Sequence, residues 1–384
     1  MKIGIDCRML GPEQGGLGRY AEQLVNHLME IDQDNQYVLL LCKENWDLVI
    51  FDEQKLMARD HWKKVLADFP WYSASEQIKL GKIIKKENID LMHFPHWNVP
   101  FFYNCPFVVT IHDLIMFHYP RREASALGPA AYWLKDKASR IVLHHATKAS
   151  KHIIVTSEFV KRDVHNTLGI PLEKMTVTHQ APFSIHHKRY HGSNKEQIFK
   201  KYGINKPYVL YVGVAFPHKN LAGLLRAWKI FEEKYSKDYQ LVFAGKENYF
   251  YQKLKSDQII EQLANKPIFT NFVDDDELRV LYENSYLYIF PSLSEGFGLP
   301  PLEAMSYGVP VISSNRTCLP EILGDAALYF DPENYEQMAE CMYRALTDKD
   351  VLIELQQNAR GQVKLFSWRK LARQTIEIYS RYKV

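Results

Sequence analysis

The sequence predicts an α/β protein of two domains, each a parallel sheet covered by helices. Three observations predict it. Short apolar, β-rich runs alternate with helical patterns, as strands buried on both faces do in βαβ units. The alternation pauses once, in the polar, irregular stretch 179–197, and then resumes. And 384 residues exceed one typical domain but suit two or three.

Taken in order, KIGID opens as a strand, and 18–31 follows as a helix with Tyr20, Leu24, Leu28 and Ile31 on one face. YVLLLC (37–42), DLMHF (90–94), FVVTIHD (107–113) and HIIVTS (152–157) read as further strands, with helices near 75–88 and 130–148 between them. After the linker come strands at 208–214, 239–245, 268–273, 286–292, 309–314 and 327–330. Helices are expected at 219–235, 249–264, 275–285, 300–308 and from 334 onward. Ligands of open α/β sheets bind beyond the carboxyl ends of the strands, so candidate residues should follow strands.

Composition narrows the function classes. At 46% apolar and 24% charged the chain reads as globular. A net charge of +3 argues against a nucleic-acid-binding surface. The five cysteines, Cys7, Cys42, Cys105, Cys318 and Cys341, form no C-x-x-C pair and read as buried thiols of a reducing cytosol. MKIGIDCRML does not read as a signal peptide, because Asp6 and Arg8 break its apolar run. No run approaches the length of a membrane span, so membrane contact would be peripheral. The fifteen histidines show no metal-ligand spacing, and no metal is expected.

Several stretches carry chemistry. GPEQGGLGRYAEQL places Gly16-x-Gly18-x-x-Ala21 at a helix start. The loop before it is too long for a nicotinamide or flavin fingerprint, and no acidic residue closes the second strand. A glycine loop whose backbone approaches a diphosphate fits better. His112 and Asp113 follow a strand, where a histidine could bond a sugar hydroxyl, carry protons or cap the strand. Ser157 reads as a helix N-cap. Lys219 at a helix start opposes the helix dipole, which makes sense beside an anion. SEGFGLPPLE sets Glu295 in a loop and Glu303 in the first turn of the next helix, with Pro300 and Pro301 suited to that turn. Carboxylates are pure acceptors and hold vicinal hydroxyls well, so one would hold a sugar and the other a ribose about a diphosphate at the helix end.

GGLGRY, TIHDLIMFHYP, YVGVAFPHKNLAGLLRAW, SLSEGFGLPPLEAMSYGVPVISSN, LPEILGDAALYFDPEN and the terminal FSWRKLARQTIEIYSRY resemble the family-4 retaining glycosyltransferases of GT-B fold, most closely bacterial mannosyltransferases that use GDP-mannose. The resemblance implies two Rossmann-like domains facing across a cleft. Residues 1–182 would bind the acceptor, 183–365 the nucleotide sugar, and 366–384 would form a helix returning to the first domain through Trp368, Leu371, Ile376 and Tyr379. It implies that Glu295 contacts the donor sugar and Glu303 the ribose. The backbone of Gly296, Phe297, Gly298 and Leu299 would contact sugar and phosphate. Lys219, with Gly15 and Gly16, would face the diphosphate, His112 would lie near the donor sugar, and Phe272-Val273 would lie against the base. His112, Lys219 and Glu295 are the catalytic candidates. Val214 and His218 stand where the family usually has arginine.

The implied reaction is metal-independent, cofactor-free transfer of a hexose, with retention, to a saccharide or lipid-linked acceptor in the cytoplasm or at the inner membrane face. SEQIKLGKIIKKENID is a basic amphipathic helix that either rests on an anionic bilayer or is simply solvated. The alternatives are a UDP- or dTDP-sugar donor, an epimerase or hydrolase on the same fold, a nicotinamide enzyme, and a catalytically silent partner subunit.

Overall fold

The computed structural model describes residues 1–11, 14–48, 61–69, 71, 73–103, 105–120, 123, 128–183 and 194–383. The chain divides into two compact units. The first comprises 1–117, 126–180 and 367–384, the second 118–125 and 181–366.

In the first unit seven parallel strands run in the order β3-β2-β1-β4-β5-β6-β7: β1 Lys2–Asp6, β2 Gln36–Leu41, β3 Trp62–Leu66, β4 Leu91–Phe94, β5 Phe107–Ile111, β6 His152–Val155 and β7 Met175–Val177. Every residue of β4, β5 and β6 is buried, which is why those segments are apolar without alternation. The sequence reading missed β3 and β7. Both are edge strands of mixed composition. β3 carries Lys63 and Lys64, and β7 has only three residues.

The helices start where their caps permit. Ser73 Oγ accepts the Glu76 N–H ahead of helix Ala74–Lys86, and Ser157 Oγ accepts that of Val160 ahead of Glu158–Leu168. The terminal helix Trp368–Ser380 packs on helix Gly15–Ile31 within this unit. Trp368, Leu371, Ile378 and Tyr379 are buried there, while Ile376 is only half-buried. The Tyr379 hydroxyl lies 2.6 Å from His93 Nδ1. Helix Ala74–Lys86 sends Leu80 and Ile84 into the core. Its apolar face is thus occupied, and its lysines form a solvated face.

The second unit holds β8 Tyr208–Val212, β9 Gln240–Ala244, β10 Ile268–Asn271, β11 Leu287–Phe290, β12 Val311–Ser314 and β13 Ala327–Phe330, all parallel, in the order β10-β9-β8-β11-β12-β13. Two expected helices are divided. The 249–264 stretch is helix Tyr249–Lys255 and a 3₁₀ turn at Gln258–Gln262. The 334 onward stretch becomes Tyr335–Thr347, Lys349–Val363 and Trp368–Ser380. Part of the expected linker, 184–193, lies outside the described residues.

Both sheets reverse their strand order at one place: between β1 and β4 in the first, and between β8 and β11 in the second. At such a switch point the loops leaving two adjacent strands part in opposite directions and leave a crevice at the carboxyl edge.

Candidate active site

At the second switch point, Lys219 lies after β8 and Glu295 after β11. Because those strands are neighbours, residues 76 apart in sequence meet. Lys219 Nζ donates to Glu295 Oε1 at 2.5 Å, with both side chains largely buried. The ammonium also lies 5.4 Å from the centre of the Phe290 ring.

Three phenols shape the loop after β8. Tyr288 donates to the Val212 carbonyl at 3.4 Å, Tyr251 to that of Gly213 at 2.8 Å, and Tyr211 to that of Val214 at 3.1 Å. Burial pushes the pKa of Tyr211 and Tyr288 well up, and the Glu295 charge adds to it, so both stay protonated donors. Gly213 takes φ +145, and a Cβ on Gly245 would sit 2.0 Å from the Gly213 carbonyl oxygen. Glycine is therefore obligatory at 245. None of these tyrosines was singled out in the sequence, where they read as apolar members of strands and a helix.

The loop after β11 is held from the next strand-end loop. Ser314 Oγ donates to the Ser292 carbonyl at 2.6 Å. The Glu295 N–H donates to Thr317 Oγ1 at 3.1 Å, and Cys318 Sγ donates to the Glu295 carbonyl at 3.3 Å. Gly298 takes φ +95, and a Cβ there would meet Leu319 at 2.9 Å. Gly296 and Phe297 complete the loop, with Phe297 edge-on to Phe366.

Helix Leu299–Ser306 begins one residue earlier than expected. Glu303 is its fifth residue, so it lies outside the first turn, contrary to the sequence expectation. Pro300 and Pro301 lack N–H groups, which leaves Leu299 and the loop amides before it as the donors nearest the helix start. Glu303 is buried, with the Tyr282 hydroxyl 3.4 Å from its Oε2. Val273, after edge strand β10, is partly exposed, and Phe272 beside it is 71% exposed.

His218 is buried and stacks on Phe216 at 5.9 Å. Its carbonyl accepts the Leu293 N–H at 2.7 Å. This residue, where the resemblance led one to expect arginine, packs the loop and couples it to the one after β11.

In the first unit, Gly15 opens helix Gly15–Ile31 at φ +59, and both Gly15 and Gly16 have open space where a Cβ would sit. The steric need for glycine falls on Gly18, whose Cβ would lie 1.9 Å from the Gly11 carbonyl. At the β1/β4 switch point, Asp6, Met9, Leu17, Ala21, Pro95, His96 and Asn98 line a small pocket. Below it Arg8, itself buried, donates to Asp6 through Nε at 2.8 Å and Nη2 at 2.7 Å, and to Glu76 Oε1 at 2.6 Å.

His112 has both ring nitrogens engaged. Nε2–H donates to the Pro95 carbonyl at 2.8 Å, and Nδ1 accepts from Gln180 Nε2 at 3.1 Å. Burial lowers its pKa to about 4, against the opposing effect of the Pro95 bond, so the ring is neutral at pH 7. A proton-carrying part for His112 requires one of those bonds to open. Among the described residues, no group of three His, Cys, Asp or Glu side chains is placed to hold a metal ion, and no helix is long and apolar enough to cross a membrane.

The family described as "Glycosyltransferase Family 4" matches residues 14–181, and that described as "Glycosyl transferases group 1" matches 194–362. O-antigen chain mannosyltransferase B of Escherichia coli is 31% identical over 283 residues, which are 71% of this chain and 69% of that protein. O-antigen chain mannosyltransferase RfbU of Salmonella typhimurium is 26% identical over 338 residues, covering 86% of this chain and 87% of that one. Among solved structures, HepE of Anabaena in complex with UDP and glucose superposes with a TM-score of 0.74 at 17% identity, over 99% of this chain and all of that one. WaaG, a glycosyltransferase involved in lipopolysaccharide biosynthesis, gives 0.68 at 16%, over 98% and 99%. At that identity the likeness is one of fold, and the fold is that of the GT-B glycosyltransferases.

Proposed function

This chain belongs to the group 1, family-4 glycosyltransferases, and on that premise we propose that it transfers mannose from GDP-mannose, with retention and without a metal, to a saccharide or lipid-linked saccharide acceptor in cell-surface polysaccharide or glycolipid synthesis. The observation that carries the reading is the Lys219–Glu295 pair at the β8/β11 switch point. Mannose is favoured because both curated relatives described above are named mannosyltransferases.

In this reading Lys219 turns from Glu295 to the diphosphate, and the loop amides around Gly296, Phe297, Gly298 and Leu299 face the same charge. Glu295 then holds the sugar hydroxyls, Glu303 the ribose, and the exposed Phe272 ring with Val273 the base. Gly15 and Gly16 of the first unit, where a Cβ would meet no other group, are the residues proposed there to face a diphosphate. The bond from the anomeric carbon to the diphosphate breaks, and the acceptor oxygen bonds that carbon on the same face. The acceptor proton passes to the leaving phosphate oxygen. A UDP-sugar is the second reading, favoured by the likeness to a structure solved with UDP and glucose.

The test is saturation-transfer NMR of the whole chain against GDP-mannose, UDP-glucose, UDP-N-acetylglucosamine and dTDP-rhamnose. GDP-mannose is expected to receive saturation in the parent and to lose it in Glu303→Ala. Selective binding of a UDP-sugar moves the second reading forward, and binding of none removes both.

Peripheral membrane contact belongs to the same proposal, with a different surface from the lysine-rich helix Ala74–Lys86. Trp133, Leu134 and Ile141 on helix Pro129–Ala149, with Phe101 and Phe102, are exposed large apolar groups in one unit, and Phe101, Ile141, His145 and Lys148 line one shallow groove. Lys135, Lys137, Lys148 and Lys151 are exposed on the same stretch, while its one acidic residue, Asp136, is taken by Arg140 at 2.7 Å. Apolar rings set among uncompensated lysines suit an anionic bilayer, where each lysine near the surface contributes about 1 kcal/mol. The parent is expected to float with vesicles containing phosphatidylglycerol and not with phosphatidylcholine alone. Phe102→Ser/Trp133→Ser should remain in the soluble fraction; equal flotation of the two proteins would refute this surface.

A further inference from the structure

We infer that Thr317 is a positioning residue of the donor site: its backbone is held in a disfavoured conformation so that its hydroxyl, with the Cys318 thiol, fixes the main chain of Glu295. The inference rests on the reading of Glu295 as the carboxylate that meets the donor sugar.

Among the described residues, four non-glycine residues take a positive φ: Asn88, Asn220, Asn271 and Thr317, the last at +57°. The three asparagines are ordinary, since a short amide side chain tolerates the left-handed region. Thr317 is not. A β-branched side chain there crowds its own backbone, and such a residue persists only where the surroundings over-determine it, most often at functional sites.

The surroundings are in view. Thr317 Oγ1 accepts the Glu295 N–H at 3.1 Å, and the next side chain, Cys318 Sγ, donates to the carbonyl of the same Glu295 at 3.3 Å. Two successive side chains thus grip both polar groups of one residue, and the left-handed turn at Thr317 lets both reach it. The same segment makes two further contacts with the loop after β11, through Ser314 Oγ on the Ser292 carbonyl and Leu319 beneath Gly298. Residues 314–319 therefore act as a template for 292–298. The Glu295 carboxylate is aimed by its backbone, which leaves the side chain to exchange Lys219 for a ligand without losing its place.

Fold alone does not require the hydroxyl. Cys318 is fully buried and stands just before the short helix Leu319–Leu323, while Thr317 is only half-buried and lies outside the core. A glycine would satisfy the φ without strain.

Three variants of the full chain separate the roles. Thr317→Ser keeps the hydroxyl, Thr317→Val keeps the shape and the strain without it, and Thr317→Gly removes both. The first readout is deuterium uptake by the peptide covering 292–298, which needs no ligand. The second is affinity for GDP-mannose and UDP-glucose by calorimetry, and the third is Tm. Thr317→Ser should match the parent in uptake and bind donor within about twofold. Thr317→Val should exchange faster and bind about tenfold more weakly, as loss of one hydrogen bond at a binding site predicts. Thr317→Gly should melt no lower than the parent, yet exchange and bind like Thr317→Val. Parent-like uptake or parent-like affinity in both Val and Gly variants overturns the inference. If the parent binds neither nucleotide sugar, the donor reading fails, and the uptake series still decides whether Thr317 holds Glu295.

Discussion

Glu295→Gln is expected to lower kcat/KM by about a hundred- to a thousandfold with the fold intact, the range found when one preorganised polar group is removed from an active site. The amide is isosteric, and the backbone at 295 stays gripped by Thr317 and Cys318. What changes is charge. Glu295 is 7% exposed, and its carboxylate is bonded to Lys219. In glutamine one of the two acceptor oxygens becomes an NH2 donor, the Lys219 ammonium keeps an amide oxygen but loses its counter-charge, and an acceptor-only group for sugar hydroxyls is lost. Stability should fall by only about 1–3 kcal/mol, because Lys219 keeps some exposure and its contact with Phe290.

The coupling can be read from a double-mutant cycle with Lys219→Met. If the two residues act as a unit on one ligand, the second substitution should cost far less after the first than alone. Nucleotide release from the donor identified by the binding panel supplies the rates. A loss under tenfold in Glu295→Gln, or additive effects in the cycle, would exclude the pair as the centre of the site.

Central strands such as LMHF and FVVTI were legible because burial on both faces favours a nearly uninterrupted apolar run. The edge strands at Trp62–Leu66 and Met175–Val177 were not, because an edge carries lysines or shrinks until no period remains. Glu295, Glu303 and Lys219 were visible as polar residues at strand ends and helix starts. Their relation was not, since it depends on β8 lying beside β11, and strand order leaves no trace in local sequence. Thr317, Tyr211, Tyr251 and Tyr288 escaped for another reason. A tyrosine in a strand or helix reads as a core residue, and a threonine in a polar loop reads as nothing at all. Only the direction of the hydroxyl gives either a role. Glu303 was misplaced by one position, just outside the first turn, because two prolines suggested a helix start one residue later than Leu299.

The largest stability effect is expected in the first unit, at Glu76→Leu, with a loss of about 3–5 kcal/mol, the cost of leaving a buried charge without its partner. Glu76 is fully buried at the start of helix Ala74–Lys86, and Arg8 is 2% exposed. Burial works against the Arg8 charge, but Asp6 and Glu76 outweigh it and hold the guanidinium pKa above its usual value. Asn98 Nδ2 also donates to Glu76 Oε1, at 3.0 Å. Removing Glu76 therefore strands a guanidinium edge and an amide in the interior, and Asp6 alone, the outermost of the three charges, must hold the cation. Arg8→Met/Glu76→Leu should recover most of the loss, because a buried pair replaced by apolar side chains of similar volume is often neutral. Urea unfolding followed by tryptophan fluorescence would separate the cases. A double variant as unstable as Glu76→Leu would mean that the pair is not the coupled unit its geometry suggests. The recovered double variant is also the sharper functional probe. Asp6 lines the pocket at the β1/β4 switch point and is oriented by two bonds from Arg8. A protein with parental stability and a mobile Asp6 carboxylate would then show, through the acceptor KM alone, whether that pocket takes part in transfer.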